Sequence, residues 1–522
     1  MRWLTATLAG AGVCVAMLGF GAGTASGDSY RVTRTDDPQP DGCKPRDCSL
    51  REAVLKANRH RGRDAIVLPP GRYELELGGA EDRARSGDLD IRQRVAVRAS
   101  GRPRSAIVSG RGVDDGVFDV VRGKTRFDGL AITGGADSVG GISANRRVTV
   151  VDSRIARNYR GIQADELVMK RSRVSRNRDD GVLAMNARIE NSGMSSNGGK
   201  GVLVYSRLEL IRSSVAGNAD TGIHSGDCAT SSPIVGRPLV VRTRVQANSS
   251  ATRTGGMRVC DGRFTIRRSR FGSNTGAEHG GLHADHFARG VIRRSVFRNN
   301  RGQDGAGGAA YLDEVTGTTF HHNFGTTAGA IFGGGGAIER STFSRNSSAG
   351  DGGALNGFGG QIVNSTFASN SAAGDAGAIL HTGGRKLRVR STTIVDNRAG
   401  GEGGGLLAER AGRFLAGNVL VARNTVGAGG SDPQCAGTFA SLGGNLRSSD
   451  DPGCAGFDRA SDLVRGQPRI GGLANNGGPT ETVKLLKGSP AIGNARPKTS
   501  PARDQRGVKR DRRPDVGAFE RR

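Results

Sequence analysis

His224, Arg258, His283, Tyr311 and Phe332 each stand one residue beyond an apolar residue that follows a glycine or alanine, and they do so in five consecutive repeats. In an extended strand the residue after an inward apolar one points outward. Stacked at the parallel-strand spacing of about 4.8 Å, the five would make a row of rings and cations ~19 Å long. Such a row suits a few sugar units, held by ring stacking and charge attraction. A mixed solvent-facing ladder is the competing reading of the same residues.

Asp351, Asp375 and Glu402 form a second column, just ahead of the glycines on three successive repeats. Like charges stacked so closely either splay into solvent, hold Ca²⁺ between them, or raise one pKa so that an acid pairs with a base two repeats away. Two repeats make ~9.6 Å, near the upper end of the separation in inverting glycosidases. These three residues are the catalytic and Ca²⁺ candidates. "RDDG" at Asp179 and Asp180 and "EHGG" at His279 have polygalacturonase-like lettering. They fall four repeats apart, ~19 Å by strand spacing, and cannot share one bond. The histidines of "EHGGLHADH", with His321 and His322, raise a transition-metal site, against the commoner reading of exposed turn residues.

The elements that would position these columns follow from a repeat ending in asparagine: "SRIARN" closing at Asn158, then Asn177, Asn197, Asn218, Asn248, Asn274, Asn300, Asn323, Asn346, Asn370, Asn397 and Asn424. The twelve stand 19 to 30 residues apart. Between them lie short period-two stretches such as "RFTIRRSRF" and "RKLRVRSTTIV", too short and too β-branched for helices. A unit of about three short strands cannot bury its own apolar side and must stack on copies of itself. The expectation is all-β: a single-stranded right-handed parallel β-helix of about twelve or more coils. Asn would sit at a left-handed corner and join its neighbours in a hydrogen-bonded column, with Gly supplying a positive φ before the next strand. Ahead of the repeats, Ser49 and Glu52 spell a capping box. Leu50, Ala53, Val54 and Ala57 share one face of a short capping helix that would plug the open end of the solenoid.

"GGAL", "AGAI" and "GGAI" paired with Phe-x-x-Asn runs resemble the repeats of chlamydial polymorphic outer-membrane adhesins and, more widely, of pectin-lyase-like β-helices. "CSLREAVLKAN", "DAIVLPPGRYEL" and "GDLDI" are similar to the CSLREA domain of secreted bacterial β-helix proteins. "LANNGGPTETVKLLKGSPAIG", "DQRG" and "PDVGAFE" resemble a choice-of-anchor Q region. The resemblance implies architecture, and leaves activity open because the fold hosts lyases, hydrolases and adhesins. The sequence ends at "GAFERR" with no sorting signal or apolar tail, which favours free secretion or non-covalent retention.

The apolar run after Arg2, with small residues around Ala25, has the layout of a cleaved export signal. The divisions expected are a signal peptide over 1–27, a cap with first coils over 28–135, the repeats over 136–430 and a C-terminal capping region over 431–522. Six cysteines then remain, and pairing of sequence neighbours gives Cys43 with Cys48, Cys228 with Cys260 and Cys435 with Cys454. A net charge of +27 points to a polyanionic partner, an acidic polysaccharide or another cell-surface polyanion. No nucleic-acid motif accompanies it. The sequence therefore reads as a secreted, monomeric, adhesin-like or glycan-binding rod, non-catalytic, requiring no cofactor beyond the Ca²⁺ considered above. A polysaccharide lyase or glycoside hydrolase acting on an anionic polymer is the runner-up.

Overall fold

The computed structural model describes residues 27–79, 81–136, 140–228, 235–285, 288–449, 452–464 and 467–522. The export-signal segment lies outside them. One coil shows the plan of the whole: after the Asn248 corner, the strands Ser249–Ser250, Met257–Val259, Arg263–Arg267 and Arg270–Gly272 lead to Asn274. Each pairs in parallel with its counterpart one coil on, Met257 with Leu282, Arg263 with Arg289 and Phe271 with Phe297. Met257–Val259 and Arg263–Arg267 belong to what are here called the first and second sheets, which run as single long strands in early coils such as Ile162–Lys170. Arg270–Gly272 belongs to the third. The third sheet is a linear stack of seventeen strands among the described residues, from Gly71–Glu74 to Leu463–Val464. The chain is thus the single-stranded parallel β-helix that the repeat predicts.

Alternation within three-residue strands sends one side chain per strand inward, and stacking turns those residues into columns. In the third sheet the column is Phe271, Phe297, Phe320, Phe343 and Phe367, with successive ring centroids 4.7, 4.9, 5.0 and 4.6 Å apart. All five rings are fully buried. Identical rings at the strand spacing stack face to face, so the core is continuous along the rod.

The asparagine column forms as a ladder. From Asn177 onward each side-chain amide donates to the Oδ1 of the next at 2.8–2.9 Å as far as Asn424, and Gln434 closes the series at 3.1 Å. The same Oδ1 accepts the backbone N–H of the preceding Asn, for example Asn248 to Asn274 at 3.2 Å. Two details differ from expectation. The left-handed residue is the one before each Asn, such as Arg176 (φ 58°) or Ser273 (φ 54°), because the amide must lie inside the corner to reach both neighbours. The following glycine does not take a positive φ either. A Cβ on Gly181 would lie 2.7 Å from the Asn197 amide nitrogen, so Gly is there to clear the ladder.

A second ladder runs along the other edge of the third sheet, unread in the sequence. Ser153 accepts the Leu130 N–H, and Ser172, Ser192, Ser213, Thr243, Ser269, Ser295, Thr318, Ser341 and Ser365 each accept the backbone N–H of the preceding member at 3.1–3.3 Å. Each rung is again preceded by a left-handed residue.

At the N-terminal end helix α1 (Leu50–Arg59) carries the Ser49/Glu52 capping box and buries the expected apolar face. Arg51 is fully buried, paired with Asp37 at 2.8 Å and donating to the carbonyls of Ala84, Gly87 and Asp88. Toward the far end Phe439 packs edge-on against Phe414 and tilted against Phe457, with ring centroids 5.0 Å apart in both pairs. The three disulfides join Cys43 to Cys48, Cys228 to Cys260 and Cys435 to Cys454.

Residues 467–522 do more than cap. They turn back along the side of the rod and lie on the third sheet. Thr342 Oγ1 donates to the Glu481 carbonyl at 2.6 Å, Thr366 to Gln505 at 2.7 Å, and the Ala518 N–H to Thr393 at 3.0 Å. Ile470, Val483, Leu485, Val516 and Phe519 bury against Ala368, Val395, Leu420 and Ala422.

Candidate functional site

The serine ladder sets the geometry of an arginine-rich surface. The left-handed residue ahead of each rung has its backbone fixed by the corner, so its side chain must leave the rod. From Ser213 to Ser295 these residues are Arg212, Arg242, Arg268 and Arg294, on four consecutive coils, with φ of 49–51°. A left-handed backbone costs a residue with a Cβ about 1–2 kcal/mol, and Gly or Asn would relieve it. Arg in four successive strained positions is a choice of side chain over backbone comfort.

All four are exposed, and among the described residues no carboxylate lies within salt-bridge reach of any of them. On the third-sheet side Arg173, Arg244 and Arg270 stand beside them in a depression of about 650 Å³ that also takes in Arg104 and Arg171. On the second-sheet side Arg267, Arg293 and Arg340 line a further depression of about 820 Å³, whose acids are Glu314 and Glu339. The two share Arg212, Arg242 and Arg268 as a common wall. Cations one strand spacing apart on a low-dielectric wall raise the local potential and draw in an extended anion. Guanidinium groups add planar two-pronged donation to carboxylate, sulfate or phosphate. The signal in the sequence was the dipeptide Arg-Ser or Arg-Thr at the head of the four successive runs that close at Asn218, Asn248, Asn274 and Asn300, which composition alone absorbs into a general excess of Arg.

The sequence-predicted ring-and-cation column lies elsewhere, on the first sheet. His224 pairs with Arg258 and Arg258 with His283, in register. His283 then pairs with Ala310, and Ala310 with Phe332, so Tyr311 is out of the column. The reason is local: Ala309 and Ala310 fit inward and outward places alike, and Tyr311 takes a left-handed kink (φ 55°) inside its strand. Its ring still lies between its neighbours, 5.9 Å from His283 and 5.7 Å from Phe332. Nor is this row an open cationic platform. Arg258 is 8% exposed and sits 3.4 Å from Asp285 and 4.0 Å from Glu278. His283 bridges the same two carboxylates at 3.3 and 3.7 Å. Burial, with nearby Lys200 and Arg258, pushes His224 down to about 4. Burial likewise takes neighbouring His279 down to about 3.

The acidic column also has local partners. Asp351 accepts the Asp375 N–H at 2.8 Å and Asp375 the Glu402 N–H at 2.7 Å, so these two carboxylates each hold a backbone N–H of the next coil. Among the described residues their oxygens do not converge at metal-ligand spacing. The one His/Cys/Asp/Glu group that does is His224 with Cys228 and Cys260, whose sulfurs are bonded to each other. His321 points to Ser344 at 2.8 Å rather than to a shared centre with His322. No helix among the described residues is long and apolar enough to cross a membrane.

No protein-family model and no curated protein matches the chain. Among solved structures it is similar to pectate lyase Pel9A at 14% identity, over 96% of this chain and 98% of that one, with a TM-score of 0.21. It is similar also to the Agl-KA catalytic domain at 14% identity, over 76% of this chain and 64% of that one, with a TM-score of 0.23. Likeness at that level carries nothing about the site, and the ladders themselves establish the fold.

Proposed function

We propose that the protein is a secreted, adhesin-like β-helix that binds an acidic polysaccharide or a comparable cell-surface polyanion along its arginine corner, without cleaving it. The observation that carries this reading is the run Arg212, Arg242, Arg268 and Arg294: exposed, strained, one per coil and, among the described residues, free of carboxylate partners. A linear polyanion presents its charges at short intervals along an axis, and a solenoid presents its corner residues the same way. The direct test is binding of the full chain to polygalacturonate, alginate and heparin by calorimetry, with neutral dextran as control. Saturable, salt-sensitive binding to the acidic polymers is expected; equal or absent binding across all four overturns the reading.

One arrangement favours a second reading. Glu278, Arg258, Asp285 and His283 form a closed ring of acids and bases, with Nε and Nη1 of the buried Arg258 making no hydrogen bond among the described residues. A lyase or hydrolase of anionic polysaccharide would use such a set for proton transfer. Release of new reducing ends or unsaturated products from the same polymers, abolished in Asp285→Asn, supports it; no release over an extended incubation removes it.

A further inference from the structure

On the third-sheet side of the arginine corner a second column of cations runs along the strands. Arg154, Arg173, Gly193, Ser214, Arg244 and Arg270 stand in register on consecutive coils. The four arginines are exposed, while Gly193 and Ser214 leave a gap with a low floor. From Arg173 to Arg244 the gap spans three strand spacings, ~14 Å. On the two coils beyond it the corner and the sheet each supply a cation, Arg242 with Arg244 and Arg268 with Arg270. All four line the same depression.

The surroundings of this column are one-sided. Among the described residues no carboxylate lines the depression. Arg171 is paired with Asp152 at 2.7 Å, and Arg104 donates to the carbonyls of Asp152 and Arg171. Arg173, Arg244 and Arg270 have no salt-bridge partner among the described residues. Burial, then the neighbouring Arg157, Arg176 and Arg173, push the Arg154 guanidinium below its usual range, a sign of cations crowded without counter-charge. The second-sheet side of the corner, by contrast, carries Glu314 and Glu339. A polymer dense in negative charge is drawn to the third-sheet side and repelled from the other.

A polyuronate bears one carboxylate per ring, and a single cation per coil already meets it. Paired cations on one coil match a ring that carries more than one anionic group, and guanidinium donates to sulfate through its planar fork. The low floor at Gly193 and Ser214 lets the sugar backbone lie close to the sheet between the flanking cations.

We propose that the third-sheet column reads charge density, selecting linear polysaccharides with more than one sulfate group per ring over the polyuronates that the corner alone can hold. The inference rests on the polyanion reading, and it names the polymer class.

The test is calorimetry of the full chain over a range of salt, against dextran sulfate of high and of low sulfation, polygalacturonate and neutral dextran. The parent chain should bind heavily sulfated dextran about ten-fold tighter than sparsely sulfated dextran or polygalacturonate. Arg244→Gln with Arg270→Gln should flatten the slope of log Kd against log salt by about two units for the heavily sulfated polymer, and leave the polygalacturonate slope unchanged. Arg146→Gln with Arg147→Gln removes the same charge from exposed positions outside the depression and should change neither slope. Gly193→Trp fills the gap without altering charge. A Cβ there meets nothing within 4 Å and its φ is not positive, so the strand accommodates the ring. Binding of the heavily sulfated polymer should fall about ten-fold in that variant. Four results overturn the column: no preference for heavy sulfation, an equal loss for both polymers in the Arg244 and Arg270 variant, an equal effect of the Arg146 and Arg147 variant, or unaltered binding in Gly193→Trp. If polygalacturonate binding still falls in Arg242→Glu with Arg268→Glu, the function stands without the column. If both polymers keep their affinity in that reversal, the function itself fails.

Discussion

The same corner of the same rod is built in two ways. Over the coils of Ser213 to Ser295 its left-handed positions are Arg212, Arg242, Arg268 and Arg294, and the surface is open. Farther along they are Gly317, Arg340, Asn364, Ser391 and Asn418, and the C-terminal segment covers them. Thr480 Oγ1 reaches the Arg340 carbonyl, Asn364 donates to the Arg503 carbonyl at 2.7 Å, and Asn418 to that of Arg496 at 3.0 Å. Pro479 marks the near limit of the cover, at Gly317. Identical backbone geometry therefore carries four successive arginines where the surface is open, while beneath the segment Arg340 gives way to Asn364, Ser391 and Asn418, whose short side chains leave room for a docked chain.

Reversing two charges on the open half breaks the comparison most strongly. Arg242→Glu with Arg268→Glu is expected to weaken polyanion binding about a hundred-fold in calorimetry, while the melting temperature stays within about 2 °C because neither guanidinium has a salt-bridge partner among the described residues to lose. On the covered half, Asn364→Arg imports the open-half residue beneath the segment, beside buried Arg510. An uncompensated buried cation should cost about 3–5 kcal/mol in urea unfolding, or release the segment to proteolysis. Stability equal to the parent chain would show that the cover does not select the corner residue. Gln505→Ala is milder: it leaves the Thr366 hydroxyl and the Ser341 carbonyl short of a partner, worth about 1–3 kcal/mol.

A separate effect is expected at the N-terminal cap, away from both halves. Burial, with Asp90, Asp115 and Asp119 close by, pushes Asp88 up to about 8, and burial takes Asp90 up to about 7. The unfolded carboxylates release their protons near pH ~3.9 while the folded ones hold theirs. Their contribution to stability is complete below that pH and is lost as pH rises through about 7–8. Melting scans at rising pH over this window should show a decline that Asp88→Asn flattens.

The fold was legible because the Asn-terminated run is a stacking rule written in sequence: Asn274 can only meet Asn248 and Asn300 if each run is one rung. The same local logic reached the capping box at Ser49 and Glu52. What escaped was whatever depends on backbone sign or on contacts far along the chain. Asn and its glycine were expected at positive φ, whereas Ser273 and its equivalents take that strain and Gly181 clears space for an amide. Tyr311 was placed by counting through two alanines that fit either face. The arginine corner was visible only as excess charge, since nothing local says that the residue before Ser269 or Ser295 must project outward. The fold-back of Gln505 onto Thr366 spans 139 residues and leaves no periodic trace.

The most direct measurement of the central claim is the slope of log Kd for polygalacturonate against log salt, for the parent chain and for a variant with Arg212, Arg242, Arg268 and Arg294 all changed to Gln. Each cation in contact with a linear polyanion contributes a little under one unit to that slope through counter-ion release. The account predicts a variant slope shallower by about three to four units. An unchanged slope would place the polyanion elsewhere on the rod and contradict the account.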